Sequence, residues 1–398
     1  MRADLGVIGG GLVGLAVVRA ALARRPDLRV VLVEKEADVA HHQSSRNSGV
    51  LHAGVYYRPG SRKAELCQRG KALMEAFCQD EGLAWTRCGK TIVAVTDDEI
   101  PRLDALAERA RANGVEVHSL NAEGVRQREP HAAAVAGLWV PATGVTDFQA
   151  VARQLATRVR EAGAEVEAGT TVVGGRETAS GVVIETDGGA FEARTLVTCA
   201  GLWADRIAKM FGAEPSVQLV PFRGEYADLR PSARDLVRGL IYPVPDPSFP
   251  FLGVHLTRRI DGSVDAGPSA ALAFARDGYR LTDVRRHDLW ETLRSGAFRQ
   301  LAARHLRMGL GELHRSLSLR AFWRAARRLV PDLRLEDLTR APAGVRAQAL
   351  HPDGTLADDF VIEETARSVH VVNAPSPAAT ASFAIGDEIA QLALARLS

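Results

Sequence analysis

The 398-residue sequence lacks the cysteine spacings, the charge imbalance and the long uninterrupted apolar runs that mark several classes of protein. Its four cysteines include no CxxC pair and no spacing typical of metal ligands, which indicates reduced, structural thiols in a cytoplasmic protein without a bound metal. The formal net charge of +2 provides no overall field that would attract nucleic acid. These absences predict an ordinary globular protein without a nucleic-acid partner.

An apolar stretch at residues 5–23, LGVIGGGLVGLAVVRAALA, resembles a membrane span or a signal peptide at first sight. Three consecutive glycines disfavour a helix there by about 1 kcal/mol each relative to alanine. Arg19 also leaves the apolar run too short to span a bilayer, so we expect no transmembrane helix. Because the chain exceeds the roughly 250–300 residues over which one hydrophobic core grows, two domains are expected.

The same stretch matches a dinucleotide-binding fingerprint when it is divided differently. Residues 4–10, DLGVIGG, predict a buried strand, Gly9, Gly11 and Gly14 have the spacing G-x-G-x-x-G, and a helix is predicted to follow. A second predicted strand, RVVLVEK, contains Glu34 about 20 residues beyond the last glycine. The glycines allow a tight turn and the close approach of a pyrophosphate to the helix N-terminus, and the acid accepts hydrogen bonds from a ribose. A dinucleotide site is therefore predicted.

The loop SSRNSGVLHAGVYY at 44–57 has neither helical nor strand periodicity. Its first residues supply hydroxyls, a guanidinium and an amide: Ser44, Ser45, Arg46, Asn47 and Ser48. Such groups suit a long phosphate-containing cofactor in an extended pose. This loop favours FAD over a nicotinamide cofactor, because a nicotinamide-binding fold usually continues here with a regular helix. A polar surface loop with a serine helix cap is the alternative.

Distant parts of the chain are predicted to end at the same edge of one sheet. Residues 163–174 predict a strand, a turn and a strand, and residues 181–201 predict a hairpin around 187–189 followed by a buried strand that ends near Gly201. Residues 368–394 predict a strand, a loop and a helix. In open α/β folds ligands bind at the carboxyl edge of the strands, so these segments are expected to meet at the cofactor.

Several stretches resemble the FAD-dependent D-amino-acid-oxidase and glycerol-3-phosphate-dehydrogenase superfamily, and within it the L-2-hydroxyglutarate oxidase/dehydrogenase family. The most specific are SRNSGVLHAGVYY and NAPSPAAT; the others are GVTDF, CAGLWAD, PFRGEY, LGVHLTRRIDGSVDAGPSAALAF and DDFVIE. The resemblance implies oxidation of L-2-hydroxyglutarate to 2-oxoglutarate by hydride transfer to FAD, with quinone or oxygen as the electron acceptor. A related flavin enzyme acting on an amino acid or another 2-hydroxy acid, and a non-catalytic binding protein, remain alternatives.

The resemblance also implies cofactor-binding residues. These are Gly9, Gly11, Leu12, Val13 and Gly14 at the pyrophosphate, Glu34 and Lys35 at the adenosine ribose, Ser44, Ser45, Arg46, Asn47 and Ser48 along the FAD, Val173 at the adenine, Ala200 and Gly201 close to the cofactor, and Ser376, Pro377, Ala378, Ala379 and Thr380 at the flavin ring. SPAAT is predicted to open a helix whose positive end favours anionic reduced flavin. A helix that only completes the sheet layer is the alternative.

The expected fold class is α/β, with a discontinuous Rossmann-like FAD-binding domain and a second α+β substrate domain built on an antiparallel sheet. The FAD-binding domain is predicted to comprise residues 1–85, 145–215 and 340–398. The substrate domain is predicted to comprise residues 86–144 and 216–339, including an Arg-rich helical segment at 285–335.

Oxidation of a 2-hydroxy acid requires a base for the hydroxyl proton, and two histidines are candidates. His52 follows the cofactor loop directly, and strand alternation in LGVHLTRR places His255 and Thr257 on one face. A histidine titrates near neutral pH and suits the role of base, although each of the two is about as well explained as a structural residue. We favour His255 as the base and His52 as a partner on the flavin side, without a firm ranking.

A dicarboxylate substrate also requires cationic ligands, because a guanidinium matches a carboxylate bidentately. The candidate substrate ligands are Arg223 and Tyr226 in PFRGEY, Thr257 with Arg258 or Arg259 in the following motif, and Tyr57, with Arg58 and Lys63 as further options. Arg223 is favoured because its apolar and glycine neighbours suggest a strand at a pocket.

Residues 299–333 combine arginines with Leu, Met, Phe and Trp at helical spacing. Two helices joined near Gly309–Gly311 or Ser316–Ser318 are predicted. One interpretation is a lid whose arginines face water. The other is a basic amphipathic surface that rests on anionic lipid at the inner face of the cell membrane, as would suit an enzyme that reduces a membrane quinone.

Overall fold

The computed structural model describes residues 2–246 and 253–397, so Met1, Ser398 and the Leu252 that begins one matching stretch lie outside the described residues. The strands are, in chain order, β1 (Arg2–Ile8), β2 (Val30–Glu34), β3 (Val50–Leu51), β4 (Trp85–Thr86), β5 (Lys90–Ala94), β6 (His118–Asn121), β7 (Ala136–Val140), β8 (Gly144–Thr146), β9 (Glu165–Ala168), β10 (Val172–Thr178), β11 (Gly181–Thr186), β12 (Gly189–Thr198), β13 (Gln218–Gly224), β14 (Ala227–Leu229), β15 (Leu240–Pro243), β16 (His255–Arg258), β17 (Val264–Gly267), β18 (Ala271–Leu272), β19 (Leu338–Arg340), β20 (Gly344–Leu350), β21 (Val361–Glu364) and β22 (Ser368–Asn373). The helices are α1 (Leu12–Arg24), α2 (Arg62–Asp80), α3 (Ile100–Ala112), α4 (Ala122–Arg128), α5 (Phe148–Glu161), α6 (Ala204–Met210), α7 (Arg286–Arg294), α8 (Gly296–Arg304), α9 (Leu306–Leu317), α10 (Leu319–Arg327) and α11 (Ala378–Leu394).

Sheet I contains the dinucleotide fingerprint. Its core is parallel, in the order β9-β2-β1-β12-β22, and the antiparallel strands β10, β11 and β21 extend it. β2 is buried along its whole length, as expected for a strand of a parallel sheet that is covered on both faces. Helices α1, α2, α5 and α11 pack together on one side of this sheet. A Cβ at Gly386 would lie 2.5 Å from the Ala16 backbone, so this glycine permits the close contact of α11 with α1.

Sheet II is mainly antiparallel, in the order β19-β14-β17-β16-β15-β5-β7-β6, with β15 and β5 as its parallel pair. Helices α4 and α10 cover the face that we call outer. The inner face is covered by α3 and by residues 50–55 of the cofactor loop. Alternate side chains of these strands point to the inner face. This face of sheet II therefore packs against the cofactor loop, which follows the dinucleotide-binding βαβ unit in the chain. The α/β class with a second domain on an antiparallel sheet is confirmed.

A smaller sheet links the two predicted domains. β20 pairs with β13 along seven residues, and β13 also pairs with β18. β20 belongs to the predicted FAD-binding domain, at residues 340–398, whereas β13 belongs to the predicted substrate domain, at residues 216–339. The exact domain boundaries stay a prediction.

The Arg-rich segment forms more helices than predicted. α8, α9 and α10 are separated at His305 and Ser318, and Ser318 caps α10 by accepting a hydrogen bond from the Ala321 amide at 3.2 Å. The joint near Ser316–Ser318 is therefore confirmed, whereas the alternative joint at Gly309–Gly311 is wrong. Nothing lies within 4 Å of a Cβ at either glycine. Both lie on an exposed helix surface, where glycine weakens a helix without ending it.

Candidate active site

The glycine turn after β1 has the close contacts that the fingerprint requires. Gly9 has a φ of +110°, and a Cβ there would lie 2.4 Å from the Cys199 carbonyl oxygen. A Cβ at Gly14 would lie 2.0 Å from the Gly9 carbonyl oxygen. Gly11 differs, because a Cβ there would meet only the Ser44 hydroxyl at 3.2 Å. Two glycines therefore allow the turn and the packing of α1, and Gly11 leaves its surface open.

Glu34 organises the acidic end of this turn. Its carboxylate oxygens accept hydrogen bonds from the Gly10 amide at 2.7 Å and from the Glu36 amide at 2.9 Å. Ser44 approaches from the cofactor loop, and its hydroxyl accepts a hydrogen bond from the Leu12 amide at 3.1 Å, in the first turn of α1. The turn, the acid and the loop are thus held together by the protein's own hydrogen bonds.

A cavity of about 490 Å³ extends from Glu34 along the glycine turn to the start of α11. Of the residues predicted to bind the cofactor, Gly9, Gly11, Leu12, Val13, Glu34, Lys35, Ser44, Ala200, Gly201, Ala378 and Ala379 line it. Gly14 packs behind the turn, and Val172 lines the cavity where Val173 was predicted; Val173 itself is 58% exposed. An elongated cavity with an acid at one end and an open glycine turn at a helix N-terminus fits a dinucleotide such as FAD.

The remaining polar residues of the cofactor loop mainly stabilise the loop itself. The Asn47 amide donates to the carbonyls of Gln43 and Ser44 at 3.0 and 2.9 Å, and the Ser45 hydroxyl donates to the His41 carbonyl at 3.1 Å. These residues and Ser48 are not among the cavity-lining residues, so their contact with FAD stays a prediction.

Aromatic and charged side chains cover one side of the cavity. His42 contacts the Tyr279 hydroxyl through Nδ1 at 2.6 Å and the Glu36 carboxylate through Nε2 at 2.8 Å. The Arg46 guanidinium lies 3.9 Å from the centre of the Tyr279 ring. Burial, and next the charge of Lys35, lower the pKa of His42 to about 4, so this imidazole is neutral at physiological pH. Tyr279, from a distant loop, contacts His42 of the cavity lining, and no local pattern in the sequence indicates this contact.

The N-terminus of α11 connects the cavity to the cofactor loop. The Thr380 hydroxyl donates to the Val50 carbonyl at 3.2 Å and accepts from the His52 amide at 3.1 Å. Ser376 interacts with the hydroxyl of Tyr57. The helix begins at Ala378, one residue after Pro377, as the SPAAT motif predicts. His52 and Tyr57 are therefore tied to the segment that was predicted to contact the flavin ring.

Polar side chains form a row across the inner face of sheet II. Lys90 on β5, Tyr242 on β15, and His255 and Thr257 on β16 are all buried there. The rings of Tyr242 and His255 stack with their centres 3.9 Å apart. Gly267 on β17 faces His255, and a Cβ at Gly267 would lie 2.7 Å from the Tyr226 ring. This row is the largest departure of the inner face from an apolar core.

Both candidate histidines are neutral; His255 is buried and His52 is half-buried. The Nδ1 atom of His255 lies 2.9 Å from the Gly253 carbonyl oxygen, which can only accept, so Nδ1 carries the proton and Nε2 is left with a free lone pair. Burial lowers the pKa of His255 to about 3. Burial, and next the charge of Lys90, lower the pKa of His52 to about 3 as well, and its Nδ1 atom has no hydrogen-bond partner in the part of the chain that the structure describes.

Arg346 is a cation that the sequence interpretation did not single out. It lies on β20, where it faces Phe222, and it is exposed. Its guanidinium interacts with the Tyr226 hydroxyl, and its charge acts on His52 and His255. The neighbouring Ala347 lines the cofactor cavity. Alternation along VRAQAL could have indicated a strand, but only its pairing with β13 shows which residues it faces.

The predicted arginines are engaged elsewhere. Arg223 is 3% exposed and forms an ion pair with Glu225. Arg258 donates to the carbonyls of Val237 at 3.0 Å and Arg234 at 2.7 Å. Arg259 pairs with Asp265. The structure therefore does not bring a free guanidinium from Arg223 or Arg258 to the histidines, and their roles as substrate ligands stay predictions.

Comparison with known proteins places this geometry in a family. The model of the FAD dependent oxidoreductase family matches residues 4–392. The L-2-hydroxyglutarate dehydrogenase of Escherichia coli (strain K12) is 47% identical over 387 residues, which cover 97% of this chain and 92% of that protein. The mitochondrial L-2-hydroxyglutarate dehydrogenase of Homo sapiens is 42% identical over 405 residues, covering 97% and 88%. The FAD-bound L-alpha-glycerophosphate oxidase from Mycoplasma pneumoniae shares the fold, with a TM-score of 0.81 at 22% identity over 99% of this chain and 95% of that one. The chain therefore belongs to the FAD dependent oxidoreductase family, with the L-2-hydroxyglutarate dehydrogenases as close relatives.

Proposed function

We propose that this protein catalyses the FAD-dependent oxidation of L-2-hydroxyglutarate to 2-oxoglutarate. Two relatives with 47% and 42% identity over nearly the whole chain are named L-2-hydroxyglutarate dehydrogenase. The observation that carries the proposal is a buried, neutral histidine, His255, on which the charge of the Arg346 guanidinium acts. FAD, when bound, supplies the hydride acceptor, and the protein has to supply a base for the hydroxyl and a cation for the carboxylate.

In this proposal His255 accepts the hydroxyl proton at Nε2. The hydrogen bond from Nδ1 to the Gly253 carbonyl fixes the tautomer, and stacking on Tyr242 fixes the ring plane. Arg346 binds the carboxylate next to the reacting carbon, with the Tyr226 hydroxyl beside it. His52 lies on the flavin side, because its amide is bonded to Thr380 at the start of α11.

Glu34 is expected to determine how tightly FAD is held. Replacement of Glu34 by alanine removes the acceptor of two backbone amides and of the ribose, and should weaken FAD binding about 10–100-fold, as expected when buried donors lose a charged partner. The measurement is the flavin-to-protein absorbance ratio after gel filtration of diluted protein. Glu34→Gln is the matched control and should retain more flavin. A Glu34→Ala protein that keeps stoichiometric FAD on dilution would contradict the assignment.

Anaerobic titration of the holoenzyme with each enantiomer of 2-hydroxyglutarate tests the proposed reaction. The L-enantiomer should bleach the flavin absorbance stoichiometrically and yield 2-oxoglutarate. A panel of amino acids and other 2-hydroxy acids separates this proposal from the related flavin enzyme considered above. A flavin that is reduced by an amino acid but not by L-2-hydroxyglutarate would replace the proposed substrate.

The electron acceptor and a membrane surface form the second part of the proposal. Six of the nine large hydrophobic side chains that are exposed in the described residues fall within 284–317: Val284, Trp290, Leu293, Leu306, Leu310 and Leu317. Leu306, Leu310 and Leu317 follow one side of α9. Five exposed arginines of the same segment form no ion pair among the described residues: Arg286, Arg299, Arg304, Arg307 and Arg320. Exposed leucines and such arginines in one segment suit an anionic lipid surface, from which a quinone would receive the electrons.

Within the described residues, no helix is both long and apolar enough to cross a bilayer. Any membrane contact would then be peripheral and salt-sensitive. The protein should sediment with vesicles of anionic phospholipid at low salt, roughly tenfold more than with zwitterionic vesicles, and detach at high salt. Leu306→Asp combined with Leu310→Asp should abolish sedimentation, whereas Leu73→Asp, at another exposed leucine, should not. Equal recovery of all variants in the supernatant at low salt would overturn the lipid surface.

A further inference from the structure

Lys90 is a buried lysine without a carboxylate partner among the described residues. It is 1% exposed, and its ammonium lies 4.5 Å from the centre of the Tyr56 ring and 4.8 Å from that of Tyr242. Lysine is almost never fully buried unless it is paired, because removing its charge from water is costly. Lys71, which is also buried, follows the rule by pairing with Glu75. The surroundings of Lys90 therefore lack an anion.

Two neighbouring polar groups lack partners as well. Within residues 2–246 and 253–397, the buried Tyr56 hydroxyl and the buried Nδ1 atom of His52 have no hydrogen-bond partner. The charge of Lys90 acts on His52, so these groups belong to one region. Buried polar atoms without partners are uncommon in native proteins and call for an explanation. An ammonium and a phenol that both lack an acceptor are suited to bind a carboxylate.

The position of Lys90 relative to Arg346 fits a dicarboxylate. The register places Tyr242 opposite Ile92, two residues along β5 from Lys90, and the Tyr242 ring stacks on His255 of the next strand. Tyr226 with Arg346 lies beyond His255, next to β17. Two strand spacings, about 9–10 Å, separate the backbones of β5 and β16, and β17 lies one spacing further, so the long lysine and arginine side chains have to extend toward each other to hold one diacid. The carboxyl carbons of an extended five-carbon diacid are about 5 Å apart, from four bonds of about 1.5 Å. A hydrogen bond of about 2.8 Å at each end extends this to about 10–11 Å.

We propose that Lys90 and the Tyr56 hydroxyl bind the substrate carboxylate that is remote from the reacting carbon, while Arg346 binds the adjacent one. This inference rests on the proposed function. It means that the Lys90 ammonium makes the enzyme prefer a dicarboxylate to a monocarboxylate of the same length. Tyr56 is half-buried, and no described residue forms a hydrogen bond with its hydroxyl that would resist the movement of its ring when the carboxylate enters. A pair formed there is shielded from water, which strengthens it relative to an exposed pair.

The test compares two 2-oxo acids of the same chain length. 2-Oxoglutarate has the remote carboxylate, whereas 2-oxopentanoate has a methyl group in its place. Their dissociation constants for the holoenzyme are measured from the perturbation of the flavin absorbance. Lys90→Met should weaken binding of 2-oxoglutarate about 10–100-fold, since a hydrogen bond to a charged group is lost, and should change binding of 2-oxopentanoate less than threefold.

Controls separate a lost contact from a damaged fold. Tyr56→Phe should weaken only 2-oxoglutarate, about three- to tenfold, and Lys209→Met, at an exposed lysine on α6, should affect neither ligand. Equal losses for both ligands in Lys90→Met, or an unchanged preference for 2-oxoglutarate, overturn the inference. If the unmodified holoenzyme is not reduced by L-2-hydroxyglutarate, the proposed function fails instead. If Lys90→Met does not retain FAD, the result for Tyr56→Phe and the proton uptake of the unmodified holoenzyme with 2-oxoglutarate and with 2-oxopentanoate, described below, decide the question.

Proton uptake provides a readout that a structural lysine would not change. Burial lowers the pKa of Lys90 to about 7, with the Cys67 thiol opposing the shift, and a bound carboxylate would raise the pKa. The other titratable groups that face it, His52, Tyr56, Tyr242 and His255, have pKa values shifted away from this range. Near pH 8, 2-oxoglutarate should therefore bind with uptake of up to one proton, measured by calorimetry in two buffers. 2-Oxopentanoate, and 2-oxoglutarate with Lys90→Met, should show none; uptake that persists in Lys90→Met contradicts the inference.

Discussion

Replacement of His255 by glutamine lowers the rate of flavin reduction by L-2-hydroxyglutarate about 10²–10⁴-fold, which is the usual contribution of a positioned general base. Glutamine can keep the contact with the Gly253 carbonyl through its amide, but it cannot accept a proton. The measurement is anaerobic stopped-flow absorbance of the bound flavin. FAD content and the affinity for 2-oxoglutarate should change little, because His255 acts on the hydroxyl proton and not on the carboxylates.

The pH dependence follows from the direction of the pKa shift. Burial lowers the pKa of His255 to about 3, so the base form is present at all higher pH values and is lost only as pH falls through that value. kcat/KM, which reports the free enzyme, should therefore show no acidic limb from this histidine at mildly acidic pH. An acidic limb near the ordinary histidine pKa that disappears in His255→Gln would show that the imidazole titrates normally.

The same substitution at His52 ranks the two histidines. His52→Gln leaves the backbone contact with Thr380 intact and should reduce the rate less than His255→Gln. His118→Gln, at an exposed histidine on β6, is the control for the chemistry of the substitution itself. If His52→Gln causes the larger loss, the two roles are exchanged.

Local patterns predicted the dinucleotide half of the site because its parts are close in sequence. The glycine spacing, Glu34 and the helix after Gly11 lie within one βαβ unit, and each follows from backbone geometry. The cap of α5 was equally predictable: the Asp147 carboxylate accepts from the Gln149 amide at 2.9 Å.

The substrate half was less predictable because strand pairing creates it. Arg346 reaches the histidines only because β20 pairs with β13, and Lys90 joins the polar row only because β5 lies beside β15. Arg223, which sequence reasoning favoured for its apolar neighbours, pairs with Glu225, two residues further along the chain. Neighbours in sequence indicate that a guanidinium is buried, but the partner that neutralises its charge is fixed by the tertiary structure.

Replacement of Arg346 by methionine should lower kcat/KM about 10²–10⁴-fold, chiefly through a higher KM. A bidentate pair makes two hydrogen bonds to a charged group, each contributing about 1.5–3 kcal/mol, and about 1.4 kcal/mol corresponds to a factor of ten. Arg346→Lys keeps the charge but loses the bidentate geometry of the guanidinium, so its kcat/KM should lie between those of the unmodified enzyme and Arg346→Met. Tyr226→Phe, which removes the neighbouring hydroxyl, should cost about three- to tenfold.

Steady-state kinetics of Arg346→Met and Arg258→Met test which arginine binds the substrate carboxylate. Arg346 was found in the structure, and Arg258 was suggested by the sequence. The Arg258 guanidinium already donates to the carbonyls of Val237 and Arg234, so its loss should lower stability more than substrate affinity. Arg109→Met, at an exposed position on α3, controls for a general change in charge. A large rise in KM for Arg258→Met with a small one for Arg346→Met would reverse the assignment. Hydrogen bonds separate the two arginines: the Arg258 guanidinium is occupied by backbone carbonyls, whereas that of Arg346 interacts with the Tyr226 hydroxyl and its charge acts on the neutral histidines.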